Sequence, residues 1–162
     1  MKITKVNKLT PKKLIAFDLD GTLTESKSKM DSEMASLIKQ LLQSKKVAIV
    51  GGGKYSLFKT QFISQLKVPK EILKNLYLFP TTATSFYQYD GSWKNVYSLQ
   101  LSPEERKLIK QTFVRVFKEL DYNHPKKVYG KIIEDRGTQV TFSALGQDIV
   151  AILGKQGIHI KR

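Results

Sequence analysis

Two carboxylates one residue apart, Asp18 and Asp20, are the residues of this chain best suited to chemistry. They lie in the segment FDLDGTLT, residues 17–24, at the end of the apolar run Lys13–Phe17, which predicts a short buried strand. Side chains at the carboxyl end of such a strand can project into the crevice where open α/β sheets bind ligands. Gly21 lets the chain turn sharply away from that crevice. The sequence therefore predicts that both carboxylates face one ligand.

A carboxylate pair of this kind is typical of phosphoryl transfer. Asp18 can attack phosphorus, while Asp20 protonates the leaving oxygen and later activates water. Mg²⁺ offsets the repulsion between a carboxylate and a phosphate group. The alternative is a turn between a strand and a helix in which both aspartates only cap the turn and contact solvent.

A glycine loop can contribute to the same crevice. Gly51, Gly52 and Gly53 follow the apolar run 46–50, which predicts a second buried strand. Backbone N–H groups of a glycine loop can hold a phosphate group, and Lys54 can supply positive charge beside it. These four residues are candidate phosphate ligands. Lys54 is equally typical of an ordinary exposed lysine.

The elements around these loops alternate between strands and helices. Asp31 can cap a helix whose apolar residues recur at helical spacing between Met34 and Leu42. A second helix is predicted between residues 55 and 66, then a short third helix and a third strand at 77–79. This order predicts a parallel sheet with helical crossovers, which is an α/β fold.

The pattern changes near residue 84 to that of an antiparallel α+β lobe. Two hairpins are predicted, turning at residues 90–92 and at 135–138. Between them, a capping box at 102–105 predicts the start of an amphipathic helix. We therefore predict two domains: a core at 1–82, with a basic leader at 1–12, and a smaller cap-like lobe at 83–162 that ends in an atypical tail.

Composition excludes several classes of protein. The chain has no cysteine, so it can hold neither a disulfide nor a thiolate metal site. His124 and His159 form no recognisable ligand pair, which disfavours a zinc enzyme. The apolar runs are too short to cross a bilayer, and no secretory segment follows the basic start. We expect a cytoplasmic protein without a membrane partner.

Charge indicates an anionic partner. The chain has 28 Lys+Arg against 14 Asp+Glu, a formal net charge of +14, and no acidic residue between Met34 and Lys70. Such a field favours a small phosphorylated substrate or nucleic acid. A lysine-rich face that contacts only solvent is the simpler explanation. The chain lacks a recognisable RNA-binding string of basic and aromatic residues, so nucleic acid is the less favoured partner.

The segment FDLDGTLT matches the signature DxDGT[LV]T and resembles the haloacid dehalogenase (HAD) superfamily. The resemblance extends through the GGG loop, YLFP, the hairpin around YDG, and EDRGTQVTFSALGQ. Together these segments are similar to the phosphomannomutase and sucrose-phosphatase branch, subfamily IIB, over roughly residues 13–148. The resemblance implies a Rossmann-like core that carries an α+β cap after the third strand, and it implies a Mg²⁺-dependent phosphatase or phosphotransferase acting on a sugar phosphate.

The resemblance also implies roles for individual residues. Asp18 would be the phosphorylated nucleophile and Asp20 the general acid and base. The side chain of Asp18 and the backbone carbonyl of Asp20 would hold Mg²⁺, and Thr22 would contact the phosphate. Arg136 lies where the relatives have an arginine that binds the substrate phosphate. The alternative for Arg136 is a solvent-exposed arginine at the tip of a hairpin.

The chain departs from the relatives in three places. Its glycine loop lacks their serine or threonine, and Gln147 replaces a second phosphate-binding arginine. The relatives also continue beyond the cap and supply a lysine and an acidic metal-binding pair. We therefore expect a truncated chain, or one completed by a second segment or a second copy. A catalytically incomplete module that binds anions or nucleic acid is the alternative function.

Overall fold

The structure, a computed structural model, describes residues 12–25 and 28–161. Of the predicted basic leader, only Lys12 lies within the described residues. Three parallel strands open the fold: β1 (Leu14–Asp18), β2 (Lys46–Val50) and β3 (Leu76–Phe79). Their carboxyl ends meet at one edge of the sheet, which confirms the predicted α/β fold. Among the described residues, no helix is long and apolar enough to span a bilayer.

The first hairpin extends this sheet. β4 (Ser85–Asp90) and β5 (Ser92–Ser98) turn at Gly91, and β4 pairs antiparallel with β3. The five-stranded sheet has the order β1-β2-β3-β4-β5. The sequence predicts this hairpin in the second lobe, whereas in the structure a turn of positive backbone φ at Thr81–Ala83 folds β4 back along β3. The division into two domains at residues 82 and 83 stays a prediction.

The core lies between the parallel strands and the helices that connect them. α1 (Ser32–Leu42) begins after Asp31, whose side chain accepts the Met34 N–H at 2.8 Å, as predicted. α3 (Lys70–Leu73) precedes β3. The fully buried side chains shared by strands and helices are Leu42, Val47, Ile49, Phe58, Phe62, Leu76 and Leu78.

The helix predicted between residues 55 and 66 is interrupted. It begins as α2 (Tyr55–Phe58) and continues as a wider π-helical turn (Lys59–Ile63). The hydroxyl of Thr60 donates to the Ser56 and Leu57 carbonyls, both at 3.2 Å. Side-chain hydroxyls that bond to preceding carbonyls compete with regular helical bonding. Apolar spacing predicts the helix but not this local change in pitch.

After β5 the chain forms one long helix and a short hairpin. α4 (Pro103–Glu119) opens with the predicted capping box, in which Ser102 and Glu105 exchange hydrogen bonds of 2.7 and 3.1 Å. β6 (Ile133–Asp135) and β7 (Val140–Phe142) form the hairpin. The Phe117 ring packs on Phe142 with centroids 4.9 Å apart, which joins helix to hairpin.

Two short helices end the described chain, α5 (Ile149–Leu153) and α6 (Lys155–Lys161). The segment before α5 runs against Tyr129, whose N–H donates to the Leu145 carbonyl at 2.8 Å. Gly146 has a φ of 87°, and a Cβ there would lie 2.1 Å from the Tyr129 carbonyl oxygen. Only glycine fits this contact.

Replacement of Gly146 by alanine should destabilise the fold more than the same change at Gly91. Both glycines have positive φ, but a Cβ at Gly91 meets nothing within 4 Å. The shared backbone cost is about 1–2 kcal/mol. The clash with Tyr129 should add about 2 kcal/mol or more at Gly146 alone. Urea unfolding of Gly146→Ala and Gly91→Ala measures the difference, and equal losses would contradict the contact.

Candidate active site

Asp18 ends β1 at the edge where the parallel strands terminate, and its side chain is exposed. The Thr22 hydroxyl donates to the Asp18 carboxylate at 3.4 Å. The intervening turn is tight because the N–H groups of Leu23 and Thr24 both donate to the Leu19 carbonyl at 3.1 Å. Asp20 lies half-buried inside this turn. The two carboxylates therefore share one loop, with Asp18 the more accessible.

The glycine loop lies directly beside this turn. The Leu19 N–H donates to the Val50 carbonyl at 3.1 Å, and Gly51 is buried. A Cβ at Gly51 would lie 3.1 Å from the Phe58 ring and 3.3 Å from Leu19 Cβ, so a side chain has little room. The structure thus brings the loop Gly51–Gly53 next to the carboxylate turn, as the sequence predicts.

Every carbonyl of the glycine loop accepts a hydrogen bond from outside the loop. The Gly51 carbonyl accepts the Thr82 N–H and the Gly53 carbonyl accepts the Thr81 N–H, both at 2.9 Å. The Gly52 carbonyl accepts hydrogen bonds from the side chains of Arg136 and Gln139. The orientation of the loop is therefore fixed by residues from two separate segments.

The turn that supplies two of these donors is strained. Thr81, Thr82 and Ala83 have φ values of 52°, 57° and 63°, a conformation that costs about 1–2 kcal/mol for each such residue. The Thr84 hydroxyl lies 2.7 Å from the Thr81 carbonyl and 2.8 Å from the Thr138 hydroxyl. These contacts offset part of the strain and tie the turn to the second hairpin. Strain that neighbouring contacts maintain in this way is common at functional sites.

Arg136 is held between the hairpin and the glycine loop. Its Nε donates to Glu134 at 2.8 Å, and its two terminal nitrogens donate to the Gly52 carbonyl and, at 3.2 Å, to the Gln147 side chain. The side chain is 11% exposed, so the alternative of a solvent-exposed hairpin tip is wrong. Gln147, flagged from the sequence as a departure from the relatives, thus lies beside Arg136.

Glu134 joins the two candidate cations. Its second carboxylate oxygen lies 2.6 Å from the Lys54 ammonium, so Lys54 and Arg136 bind one carboxylate. Burial by itself would raise the pKa of Glu134, but hydrogen bonds and charges from Lys54 and Arg136 outweigh it and lower that pKa. On the same strand, hydrogen bonds from Lys110 and the Gly137 N–H lower the pKa of Asp135 to about 2. Both carboxylates are therefore firmly ionised near neutrality.

A polar cavity of about 240 Å³ opens next to this ion-pair cluster. The stacked rings of Tyr55 and Tyr87 form part of its wall, with centroids 3.8 Å apart. Burial, followed by the neighbouring Tyr87, raises the pKa of Tyr55 to about 12, so its hydroxyl remains protonated. Lys54 and Arg136 also line the cavity, whereas Asp18 and Asp20 do not.

The structure therefore joins the predicted site residues into two linked groups. Asp18, Asp20 and Thr22 form the first, and Lys54 and Arg136 form the second; the glycine loop touches both. Sequence reasoning missed Gln139 and the strained turn at Thr81–Ala83, and it gave Glu134 no positive role. The acidic residue two positions before Arg136 was the available signal for Glu134. No cluster of three or more acidic or histidine residues fit to hold a metal ion occurs in the described part of the chain.

Sequence comparison finds phosphomannomutases. The chain is 28% identical over 140 residues to a phosphomannomutase of Encephalitozoon cuniculi, covering 85% of this chain and 51% of that relative. It is 31% identical over 77 residues to phosphomannomutase 1 of Mus musculus, covering 47% of this chain and 28% of the relative. The chain thus spans about half or less of the length of these curated relatives. No protein-family model matches the chain.

Comparison of structures finds the same type of fold. An N-terminally truncated, IMP-bound IMP-nucleotidase of Plasmodium falciparum superposes with a TM-score of 0.58 at 17% identity, covering 93% of this chain and 45% of that one. A haloacid dehalogenase-like hydrolase from Bacteroides thetaiotaomicron gives 0.51 at 20% identity, covering 65% and 38%. At such identities these likenesses concern the fold alone.

The chain therefore has the Rossmann-like fold of haloacid dehalogenase-like hydrolases, with Asp18 and Asp20 at the carboxyl end of its first strand. Its sequence is similar to phosphomannomutases at low identity, which agrees with the branch that its signature resembles.

Replacement of Glu134 by glutamine should lower stability most at neutral pH. The folded pKa of Glu134 lies below its ordinary 4.5, so its contribution is complete above that value and is lost as pH falls through the folded pKa. We expect a loss of about 1–3 kcal/mol near pH 7, shrinking below pH 4.5. Urea unfolding of the unmodified chain and of Glu134→Gln across this range measures it.

Glu119→Gln is the matched control for that experiment. Glu119 pairs with Arg115 at 3.7 Å, but both side chains are more than 60% exposed. Exposed pairs contribute about 0–1 kcal/mol. Equal effects of the two substitutions at neutral pH would contradict a structural role for Glu134.

Proposed function

We propose that this chain is a Mg²⁺-dependent phosphatase or phosphotransferase that acts on a phosphorylated sugar or similar small metabolite through an aspartyl-phosphate at Asp18. The observation that carries the proposal is the exposed Asp18 carboxylate at the end of β1, directly beside the glycine loop. Sequence relatives that are phosphomannomutases support the phosphorylated-sugar class. Hydroxyl-bearing side chains of the nearby cavity, such as Ser85 and Thr138, suit a polyhydroxylated ligand.

In the first half-reaction, a carboxylate oxygen of Asp18 forms a bond to phosphorus. The bond between phosphorus and the ester oxygen of the substrate breaks, and protonated Asp20 gives its proton to that leaving oxygen. Asp20 is suited to this role because it lies in the same tight turn as Asp18. The products are a free hydroxyl compound and Asp18 as a mixed anhydride with phosphate.

In the second half-reaction, Asp20 acts as a base. It takes a proton from water, or from an acceptor hydroxyl, whose oxygen then bonds to phosphorus while the acyl phosphate bond breaks. Water yields inorganic phosphate, and a sugar hydroxyl yields a new phosphate ester. Asp18 regains its carboxylate and Asp20 its proton in either case.

The residues present fit Mg²⁺, which is held in proteins by one or two carboxylates together with phosphate oxygens and water. The exposed carboxylate of Asp18 and the backbone carbonyl of Asp20 would hold the ion. When bound, Mg²⁺ supplies charge that offsets the repulsion between Asp18 and the phosphate.

Thr22 and the glycine loop would orient the transferring phosphate. The Thr22 hydroxyl already reaches the Asp18 carboxylate. The Gly51 N–H donates to the Phe79 carbonyl at 3.2 Å, so the N–H groups of Gly52 and Gly53, which bond to no other described residue, are the ones that remain for the oxygens of a phosphate. This arrangement lets backbone donors take the place of the serine or threonine that the relatives have.

Asp18→Asn should abolish phosphatase activity, because an amide is a poor nucleophile toward phosphorus. Asp31→Asn is the control, since asparagine caps a helix as well as aspartate does and Asp31 caps α1. We expect a loss of at least about a thousandfold for Asp18→Asn and less than about twofold for Asp31→Asn. Turnover of p-nitrophenyl phosphate and hexose phosphates with Mg²⁺ measures both, and equal rates would refute the proposal.

Glu134→Gln should tighten the binding of inorganic phosphate. Glu134 neutralises Lys54 and Arg136, and an arriving phosphate has to compete with it for these cations. Calorimetric titration of the unmodified chain and of Glu134→Gln with phosphate compares the affinities. We expect severalfold tighter binding in the variant, and weaker binding would show that Glu134 supports the ligand rather than competing with it.

A further inference from the structure

The amino end of the parallel sheet carries a concentration of unpaired lysines. Lys13 precedes β1 and Lys45 precedes β2, while Lys46 starts β2 and Lys74 lies two residues before β3. Backbone hydrogen bonds hold these starts side by side, since the Lys46 N–H donates to the Lys13 carbonyl at 2.9 Å. We call the surface formed by Lys13, Lys39, Lys45, Lys46, Lys67 and Lys74 the lysine end.

Two lysines of this surface flank a groove. Lys39, in the last turn of α1, and Lys67 line a cavity of about 330 Å³ between α1 and the segment after the π-helical turn. Ser36 and Gln65 add polar side chains to its wall. Asp31 also lines the groove, so its walls carry charge of both signs.

These lysines differ from the cations around the β6–β7 hairpin. Arg106 and Lys110 pair with Asp135, and Lys54 and Arg136 pair with Glu134. Within residues 12–25 and 28–161, no lysine of the lysine end forms an ion pair, although Glu71 lies nearby in α3. The lysine end is therefore a surface of unpaired positive charge, in which the strand pairing brings the starts of β1, β2 and β3 side by side.

We propose that the lysine end binds double-stranded nucleic acid through its phosphate backbone. Duplexes carry about one negative charge per 1.7 Å of axis, so a surface with several unpaired lysines can neutralise several phosphates together. Charge complementarity favours this partner over a single small anion, which can occupy only one or two of the lysines.

The shape of the surface favours a duplex over single strands and over a membrane. Tyr77, which lies on the neighbouring strand, is half-buried, and the Lys46 ammonium lies 5.9 Å from its ring centroid. Its ring is therefore poorly placed for a base to stack on, and stacking is what single-strand binding relies on. Leu14 and Leu37 are exposed apolar side chains within two residues of lysines of the lysine end, and two leucines insert too little apolar area to hold a bilayer surface.

A pair of variants with equal net charge tests the proposal. Lys13, Lys46 and Lys74 are changed together to glutamine in one, and Lys94, Lys118 and Lys126 are changed together in the other. All six side chains are exposed. We expect the first variant to bind a fluorescein-labelled DNA duplex about tenfold more weakly or worse, and the second to bind it nearly as the unmodified chain does.

The salt dependence supplies an independent readout. Loss of three phosphate contacts should reduce the slope of log K against log salt by about 2–3 in the first variant alone. Replacement of the same three lysines by arginine should restore both affinity and slope, which guards against misfolding. Equal weakening in both glutamine variants would overturn the proposal. Binding to phosphatidylserine vesicles or to single-stranded DNA that depends on these three lysines, without binding to the duplex, would also overturn the proposal.

Discussion

The orientation of the glycine loop is the constraint on which the candidate site depends. A loop of three glycines has more backbone freedom than any other tripeptide, and fixing it is costly in conformational entropy. The chain meets this cost with donors on each of the three carbonyls, from Thr81, Thr82, and the pair Arg136 and Gln139. Because two of these donors belong to the β6–β7 hairpin, that hairpin participates directly in shaping the glycine loop.

Glu134 has a central place in this arrangement. It holds Arg136 in the orientation that reaches Gly52, and at the same time it neutralises Lys54 beside the cavity. A single partly buried carboxylate thereby links loop geometry with the charge that an anionic ligand would meet. As a consequence, the two cations next to the glycine loop, Lys54 and Arg136, are both already engaged by Glu134.

The fold was largely predictable because its periodicities are local. An apolar run identifies β2, helical spacing identifies α1, and the capping box identifies the start of α4 at Ser102. The pairing of the hairpin β4–β5 with β3 could not be predicted, because it depends on positive φ values at Thr81–Ala83. Threonine and alanine rarely adopt that conformation, so the local sequence does not predict it.

The candidate site was predictable only where one segment contains it. Asp18, Asp20 and Thr22 lie in one short motif, and the glycine loop follows an obvious strand. The contacts of Arg136 join residues 84 positions apart in the chain, and those of Gln139 join residues 87 apart. Such contacts arise from packing between distant segments, which composition and spacing do not determine. The role of Arg136 as a phosphate ligand stays a prediction, whereas its hydrogen bonds to Glu134, Gly52 and Gln147 could not be predicted from the sequence.

The sheet separates the charges of its two ends. Asp18 and Asp20 lie at the carboxyl ends of the parallel strands, and the lysine end lies at their amino ends. A strand of five residues spans about 17 Å, whereas the Debye length at physiological salt is about 8 Å. The lysines are therefore too well screened to attract a phosphate held at Asp18. Charge compensation for a phosphate there has to come from donors at its own end, which are the loop N–H groups, Lys54 and a bound cation. The net charge of +14 thus says little about catalysis at Asp18.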